Sequence, residues 1–128
     1  MKYSLLVLSS IILCLSACSV PVANYSNVIM PQTVSQTIPS SDSIENAILS
    51  AGTEIGWTMQ KTAPNTITGT ITIDDKTATV FITYTSQTYT ILYQDSQGLN
   101  YNNNTINKTY NLWVKNLDNA IYNSLHAL

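Results

Sequence analysis

Strict alternation of side chains over residues 66–73 constrains the fold of this chain of 128 residues more than any other feature of its sequence. Threonines occupy the even positions, and isoleucines together with Gly69 occupy the odd ones. Successive side chains of a β-strand point to opposite faces, whereas a helix would scatter the isoleucines around its surface. The pattern therefore predicts a half-buried strand with one apolar face and one hydroxyl-bearing face.

Three more predicted strands adjoin this one, and turn-forming residues separate each from the next. Residues 57–62 precede it, and two alternating segments follow it. The inward side chains of the two following segments are Ala78, Val80, Ile82 and Tyr84, then Tyr89, Ile91 and Tyr93. The turns are Pro64-Asn65, Asp74-Asp75-Lys76 and Ser86-Gln87. Connections this short join neighbouring strands, so we predict a four-stranded antiparallel meander.

A helix is predicted on each side of the meander. The first, about residues 43–55, begins at a capping box of Asp42 and Glu45 and ends at Gly56, with Gly52 as the competing stop. Asn107 caps the second helix, after a polar loop over residues 94–107. The apolar stripes are Ile44, Ala47, Ile48 and Ala51 in the first helix and Tyr110, Trp113, Val114, Leu117, Ile121 and Leu125 in the second. We predict an α+β domain of order α-β-β-β-β-α, with both helices packed on one face of the sheet.

The chain begins with a predicted signal peptide over residues 1–17. Lys2 is followed by a run of about a dozen apolar residues, which is too short to span a bilayer. The sequence Leu15-Ser16-Ala17-Cys18 resembles the lipobox of bacterial lipoproteins at all four positions. The resemblance implies cleavage before Cys18, a diacylglyceryl thioether on its sulfur and acylation of the new amine.

The residues around the cleavage site also bear on location and redox chemistry. Ser19 stands where an aspartate marks retention in the inner membrane of Gram-negative bacteria. The resemblance therefore implies a cell-envelope protein on the outer membrane, facing the periplasm. Cys14 leaves with the signal peptide and Cys18 is lipidated, so we expect no free thiol and no disulfide in the mature chain.

Residues 18–41 are predicted to be the lipidated Cys18 and a flexible tether, which leaves 42–128 as a single domain. Three prolines interrupt this segment, it has no charge before Asp42, and no helical or strand period persists along it. An alternative is that its apolar residues form a partner-binding strand. These residues are Val20, Val22, Val28, Ile29 and Met30.

Composition argues against catalysis, metal binding and nucleic-acid binding. The single histidine, His126, lies close to the chain end, and we expect no zinc-type ligand set and no cofactor. Asp74 and Asp75 are typical turn formers, and neither a glycine-rich phosphate loop nor a nucleophile elbow is present. The mature chain keeps four lysines against seven acids and has no arginine, so its net charge is −3. Such a chain is a poor candidate for nucleic acid or for anionic lipid headgroups.

Two surfaces are candidates for binding. Phe81 and Leu92 fall on the outward phase of neighbouring predicted strands, among threonines, where they can form an apolar patch; the alternative is an ordinary solvated face. Tyr101, Tyr110 and Trp113 can line an aromatic cleft, or they can pack the loop onto the last helix.

The closing motif Tyr110-Asn111-x-Trp113-x-x-Asn116-Leu117 resembles that of a group of small uncharacterised bacterial lipoproteins. The resemblance covers nearly the whole domain, although those proteins often carry Ile-His where this chain has Ile106-Asn107. It implies the fold and the lipid anchor but no activity. We expect a non-catalytic accessory module that docks on a periplasmic or outer-membrane protein or on the cell wall. The alternative is a small-ligand-binding lipoprotein that uses the aromatic cleft, and the oligomeric state stays open.

Overall fold

The computed structural model describes residues 19–128, so the predicted signal peptide and Cys18 lie outside the described residues. The helices are α1 (Ser41–Glu54) and α2 (Lys108–His126). The strands are β1 (Ser19–Pro21), β2 (Tyr25–Ile29), β3 (Thr58–Ala63), β4 (Thr66–Ile73), β5 (Lys76–Tyr84), β6 (Thr88–Gln97) and β7 (Thr105–Asn107). No helix among these residues is long and apolar enough to cross a bilayer.

The predicted antiparallel meander is confirmed as β3 to β6. These strands form a five-stranded sheet with β2, in the order β2-β6-β5-β4-β3. The pairing of β4 with β5 is continuous from Thr66 opposite Thr83 to Ile73 opposite Lys76. Unbroken register keeps the isoleucines of β4 on the same face as Ala78, Val80 and Ile82 of β5, which makes that face apolar.

The amino-terminal segment differs from the flexible tether that we expect from the sequence. β1 pairs with β7, and β2 pairs with β6 to become an edge strand of the main sheet. β2 is hard to recognise because its register shifts between Tyr25 and Val28, where Asn27 has a φ of 52°. The shift breaks the two-residue period on which strand prediction depends. Val28 and Ile29, two of the residues considered for a partner-binding strand, do lie in a strand, but that strand is β2 and it pairs with β6 of the same chain.

Side-chain caps are present at the amino-terminal ends of both helices, but the predicted cap of α1, Asp42, is wrong. The hydroxyl of Ser40, and not the carboxylate of Asp42, caps α1 by accepting a hydrogen bond from Ser43 N at 3.1 Å. Gly56, with a φ of 94°, follows α1 as predicted, and the amide of Trp57 donates to Gly52 O at 3.0 Å. That pattern is a Schellman motif, which needs a left-handed residue after the cap. Asn107 caps α2, also as predicted.

A single hydrophobic core joins the two helices to one face of the sheet, which confirms the α+β class. The helices contribute their predicted stripes, and the buried side chains of Trp57 and Leu99 also belong to the core. The segment predicted as a loop over 94–107 is partly ordered: β6 continues to Gln97 past a bulge near Gln94, and β7 follows. The face of the sheet that points away from the helices is called the outward face below.

Candidate functional site

Phe81 and Leu92 lie directly opposite each other on β5 and β6, in the middle of the outward face. Phe81 is 36% exposed and Leu92 is half-buried. Cross-strand neighbours have Cβ atoms about 5 Å apart, so the two side chains form one continuous apolar surface. The predicted pair is therefore brought together, and it is called the Phe81–Leu92 patch below.

Uncharged hydroxyl groups surround this patch. Threonines on adjacent strands pair across the face, with Oγ1–Oγ1 distances of 3.3 Å for Thr70 and Thr79 and 3.0 Å for Thr72 and Thr77. Asp95, opposite Thr79, lies one outward position along β5 from Phe81 and adds a carboxylate to this rim. An apolar centre within a polar rim is the usual anatomy of a protein–protein interface.

A groove of about 420 Å³ lies beside the outward face, where residues 29–39 pass the turn between β5 and β6. Ile29 lines the groove and also pairs with Thr88, whose phase is that of Leu92, so the groove and the outward face are continuous. Ile29 is 78% exposed and Ile38 is 83% exposed. Their side chains border the groove with those of prolines and Leu125. The result is an apolar groove at the end of the sheet where β5 turns into β6, and Thr88 at its border is four residues, or about 13 Å, along β6 from Leu92.

Backbone hydrogen bonds hold the groove-forming segment in place. Met30 N donates to Gln87 O and Val34 N donates to His126 O, each at 2.9 Å. Thr33, which is buried, donates from Oγ1 to Thr37 O at 2.8 Å. Sequence reasoning missed this site because it predicted a flexible tether. The only signal was the apolar run at residues 28–30 between polar residues, which pointed to a strand and not to a groove.

The predicted aromatic cleft is mostly core. Tyr93 stacks on Tyr101 with ring centroids 4.3 Å apart and meets the edge of Tyr110 at 5.4 Å. The side chain of Tyr110 is fully buried and Trp113 is 9% exposed, whereas Tyr101 is exposed. Tyr93 thus links Tyr101 to Tyr110. Tyr110 and Trp113 act as packing residues, as in the alternative interpretation of the sequence.

The hydroxyl of Tyr110 is buried and has no hydrogen-bond partner among the described residues. A buried polar group without a partner costs free energy relative to its hydrated state. We therefore expect Tyr110→Phe to raise the free energy of unfolding by about 1 kcal/mol. Urea denaturation compares the two proteins, with Tyr89→Phe as the matched control that removes a bonded hydroxyl and lowers stability. A loss of stability in Tyr110→Phe would show that its hydroxyl has a function in the fold.

Two other buried tyrosines donate to carboxylates at the helix–sheet interface. Tyr89 OH donates to Asp118 Oδ1 at 2.6 Å, and Tyr84 OH donates to Glu45 Oε2 at 2.9 Å. Lys61 Nζ lies 2.8 Å from the same Glu45 oxygen, and its hydrogen bond lowers the pKa of that carboxyl. Burial, and then the bond to Glu45, raises the pKa of Tyr84 to about 12. Burial also raises the pKa of Tyr89 and of Tyr110.

These raised pKa values predict a loss of stability at high pH. In the unfolded chain a tyrosine ionises near pH 10, whereas Tyr84, Tyr89 and Tyr110 keep their protons in the folded chain. Unfolding therefore releases protons above about pH 10, so the free energy of unfolding is full below that pH and falls as pH rises further. Urea denaturation over this range measures the fall, and near-ultraviolet absorbance follows tyrosinate. Complete tyrosine ionisation near pH 10 with the fold intact would contradict the burial of these hydroxyls.

Within residues 19–128, no three His, Cys, Asp or Glu side chains gather as metal ligands would. Comparisons with protein-family models, with curated proteins and with solved structures find no match to this chain. The surfaces of the molecule are therefore the basis for its proposed function.

Proposed function

We propose that this chain is a non-catalytic lipoprotein, anchored through Cys18 to the outer membrane and facing the periplasm, which docks on an envelope protein through its outward face. The observation that carries the proposal is the cross-strand pairing of Phe81 with Leu92 at the centre of a polar face that consists mainly of threonine hydroxyls and includes Asp95. Protein interfaces concentrate aromatic and aliphatic anchors at a centre depleted in charge and surround it with polar groups.

The groove supports the choice of a protein as the partner. Interface anchors insert into pockets of the facing surface, and the groove offers such a pocket at the end of the sheet where β5 turns into β6. Ile29 connects the two, because it lines the groove and pairs with Thr88 of the outward face. A partner that covers the patch and inserts an apolar side chain between Ile29 and Ile38 would use both features.

The alternative of small-ligand binding in an aromatic cleft receives less support. It requires Tyr110 and Trp113 to reach a ligand, and both side chains are buried in the core. Tyr101 remains exposed, but one face of its ring is stacked on Tyr93. We propose binding of a protein and not of a small molecule.

Cysteine accessibility in living cells tests this proposal, and the partner need not be identified for the test. Single cysteines are placed at Thr70 and Thr83 on the outward face and at Thr53 on the exposed side of α1. A maleimide that crosses the outer membrane is then applied to cells and to the purified lipidated protein in phospholipid vesicles, so that a membrane is present in both cases. We expect labelling in cells to be slower than on vesicles at Thr70 and Thr83, and equal at Thr53. Equal labelling rates at all three positions would show that the outward face is free in cells and would overturn the proposal.

A further inference from the structure

The exposed side of α2 carries a regular stripe of apolar and basic residues. Its members follow the helical period and lie diametrically opposite the buried stripe. They are Lys108, Leu112, Lys115, Asn119, Tyr122 and His126, all exposed. Leu112 is 57% exposed and Tyr122 is 43% exposed, although a solvated helix face normally carries polar residues there. This set is called the Lys–Leu–Tyr stripe below.

The stripe is basic although the chain as a whole is acidic. Lys108 and Lys115 are two of the four lysines that follow Cys18. The one acid of α2, Asp118, turns inward and accepts a hydrogen bond from Tyr89 OH at 2.6 Å. The remaining acids lie on α1, on the β4–β5 turn and on β6. The net negative charge of the chain disfavours binding to anionic headgroups, but the exposed side of α2 carries a local positive charge.

The first described residue after the proposed lipid anchor lies beside this helix. Ser19 follows Cys18 in the sequence and pairs with Asn107, the cap of α2. Asn111 fixes the same segment, because its Nδ2 donates to Pro21 O at 2.9 Å and its Oδ1 accepts from Ala23 N at 3.0 Å. Because β1 begins one residue after Cys18, acyl chains on Cys18 would hold the start of α2 at the membrane surface.

We propose that the Lys–Leu–Tyr stripe lies on the anionic phospholipid surface of the membrane that holds the anchor. The ammonium groups of Lys108 and Lys115 pair with lipid phosphates, and Leu112 and Tyr122 enter the headgroup region. Over about 21 Å of helix, from Lys108 to Tyr122, the stripe then runs along the membrane plane. The inference rests on the proposed lipid anchor and adds an orientation to it.

This orientation agrees with the proposed docking function. The helices cover one face of the sheet, so contact of the exposed side of α2 with the bilayer turns the outward face towards the periplasm. The Phe81–Leu92 patch then remains free for a protein partner.

Depth-dependent quenching tests the orientation on the full lipidated chain, extracted from bacterial membranes and placed in phosphatidylethanolamine vesicles with about one quarter phosphatidylglycerol. Single cysteines at Leu112, Tyr122 or, as the control, Thr70 carry an environment-sensitive fluorophore, and the lipids carry a nitroxide quencher. We expect quenching at positions 112 and 122 to be about three times that at position 70. The paired change Lys108→Gln with Lys115→Gln should reduce this difference, whereas Lys76→Gln should leave it unchanged.

Vesicle flotation separates the failure of the orientation from the failure of the anchor. A chain that floats with the vesicles but is quenched equally at all three positions, or most at position 70, overturns the orientation and leaves the anchor intact. A chain that does not float overturns the anchor and the inference that rests on it.

Discussion

Phe81→Asp is expected to reduce docking on the envelope partner by about a hundredfold while the domain stays folded. Phe81 pairs with Leu92 at the centre of the outward face, and a central aromatic anchor of an interface contributes about 2–4 kcal/mol. The aspartate would place an unpaired charge in a desolvated contact, which adds to the loss. The protection of a cysteine at Thr83 from maleimide in living cells measures the effect, because docking is what slows its labelling.

Ile55→Asp is the matched control, since Ile55 is 40% exposed but follows α1 in the helix layer. It makes the same change of charge away from the outward face and should leave the protection of Thr83 intact. Urea denaturation should show that Phe81→Asp is still folded, with a free energy of unfolding about 2 kcal/mol below that of the parent protein, because only 36% of Phe81 is exposed and aspartate is unfavourable in a central strand. Unchanged protection in a folded Phe81→Asp protein would remove the Phe81–Leu92 patch from the proposed function.

Removal of residues 19–39 is expected to cost the domain about 4 kcal/mol of its free energy of unfolding. The segment packs four partly buried side chains against the core, those of Val22, Tyr25, Val28 and Met30. Each contributes about 1 kcal/mol at partial burial. Deletion also exposes one edge of β6, which now pairs with β2, but it keeps Ser40 as the cap of α1. Urea denaturation of residues 40–128 beside residues 19–128 measures the difference.

The control for this deletion leaves β1 and β2 in the chain and makes only the groove-forming segment more flexible. Exchange of Gln36 and Thr37 for glycine affects exposed residues at the turn of the segment and should lower stability much less than the deletion. If residues 40–128 unfold with the same free energy as residues 19–128, then the amino-terminal segment is a tether, as the sequence suggests, and it does not form the groove.

Sequence periodicity predicted the parts of the fold in which each element has one apolar face. The isoleucines of β4 alternate without interruption, and the stripe of α2 recurs at helical spacing, so a burial pattern identified both. The outward phase of Phe81 and Leu92 follows from the same alternation, and register shows that they are opposite neighbours. Which residues lie opposite each other depends on the length of the turn between β5 and β6, and this turn is short enough to leave few possible registers.

Elements without a period were missed. β2 has a register shift at Asn27, and β1 and β7 have three residues each, so neither alternation nor length distinguished them from linkers. The cap of α1 was misplaced because Ser40 and Asp42 are both good capping residues, and only tertiary structure selects one. The groove was missed for the same reason as β2, since it depends on where a segment without a period docks.

The roles of the aromatic residues depended on packing that the sequence leaves open. Tyr110 and Trp113 occupy the buried stripe of α2, which is compatible with a core or with a cleft beside it. Tyr93, which stacks on Tyr101, also meets the edge of Tyr110, and the side chain of Tyr110 is fully buried. The Lys–Leu–Tyr stripe follows from helical period alone, but its relation to the anchor required the pairing of β1 with β7.

Site-specific photocrosslinking in living cells tests the docking claim most directly, with a photoreactive amino acid in place of Phe81 and, in a second strain, of Ile55. We expect a discrete protein adduct from position 81 and none from position 55, because only the first lies on the outward face. Adducts from position 55 alone, or none from position 81 in a correctly anchored protein, would contradict docking through that face.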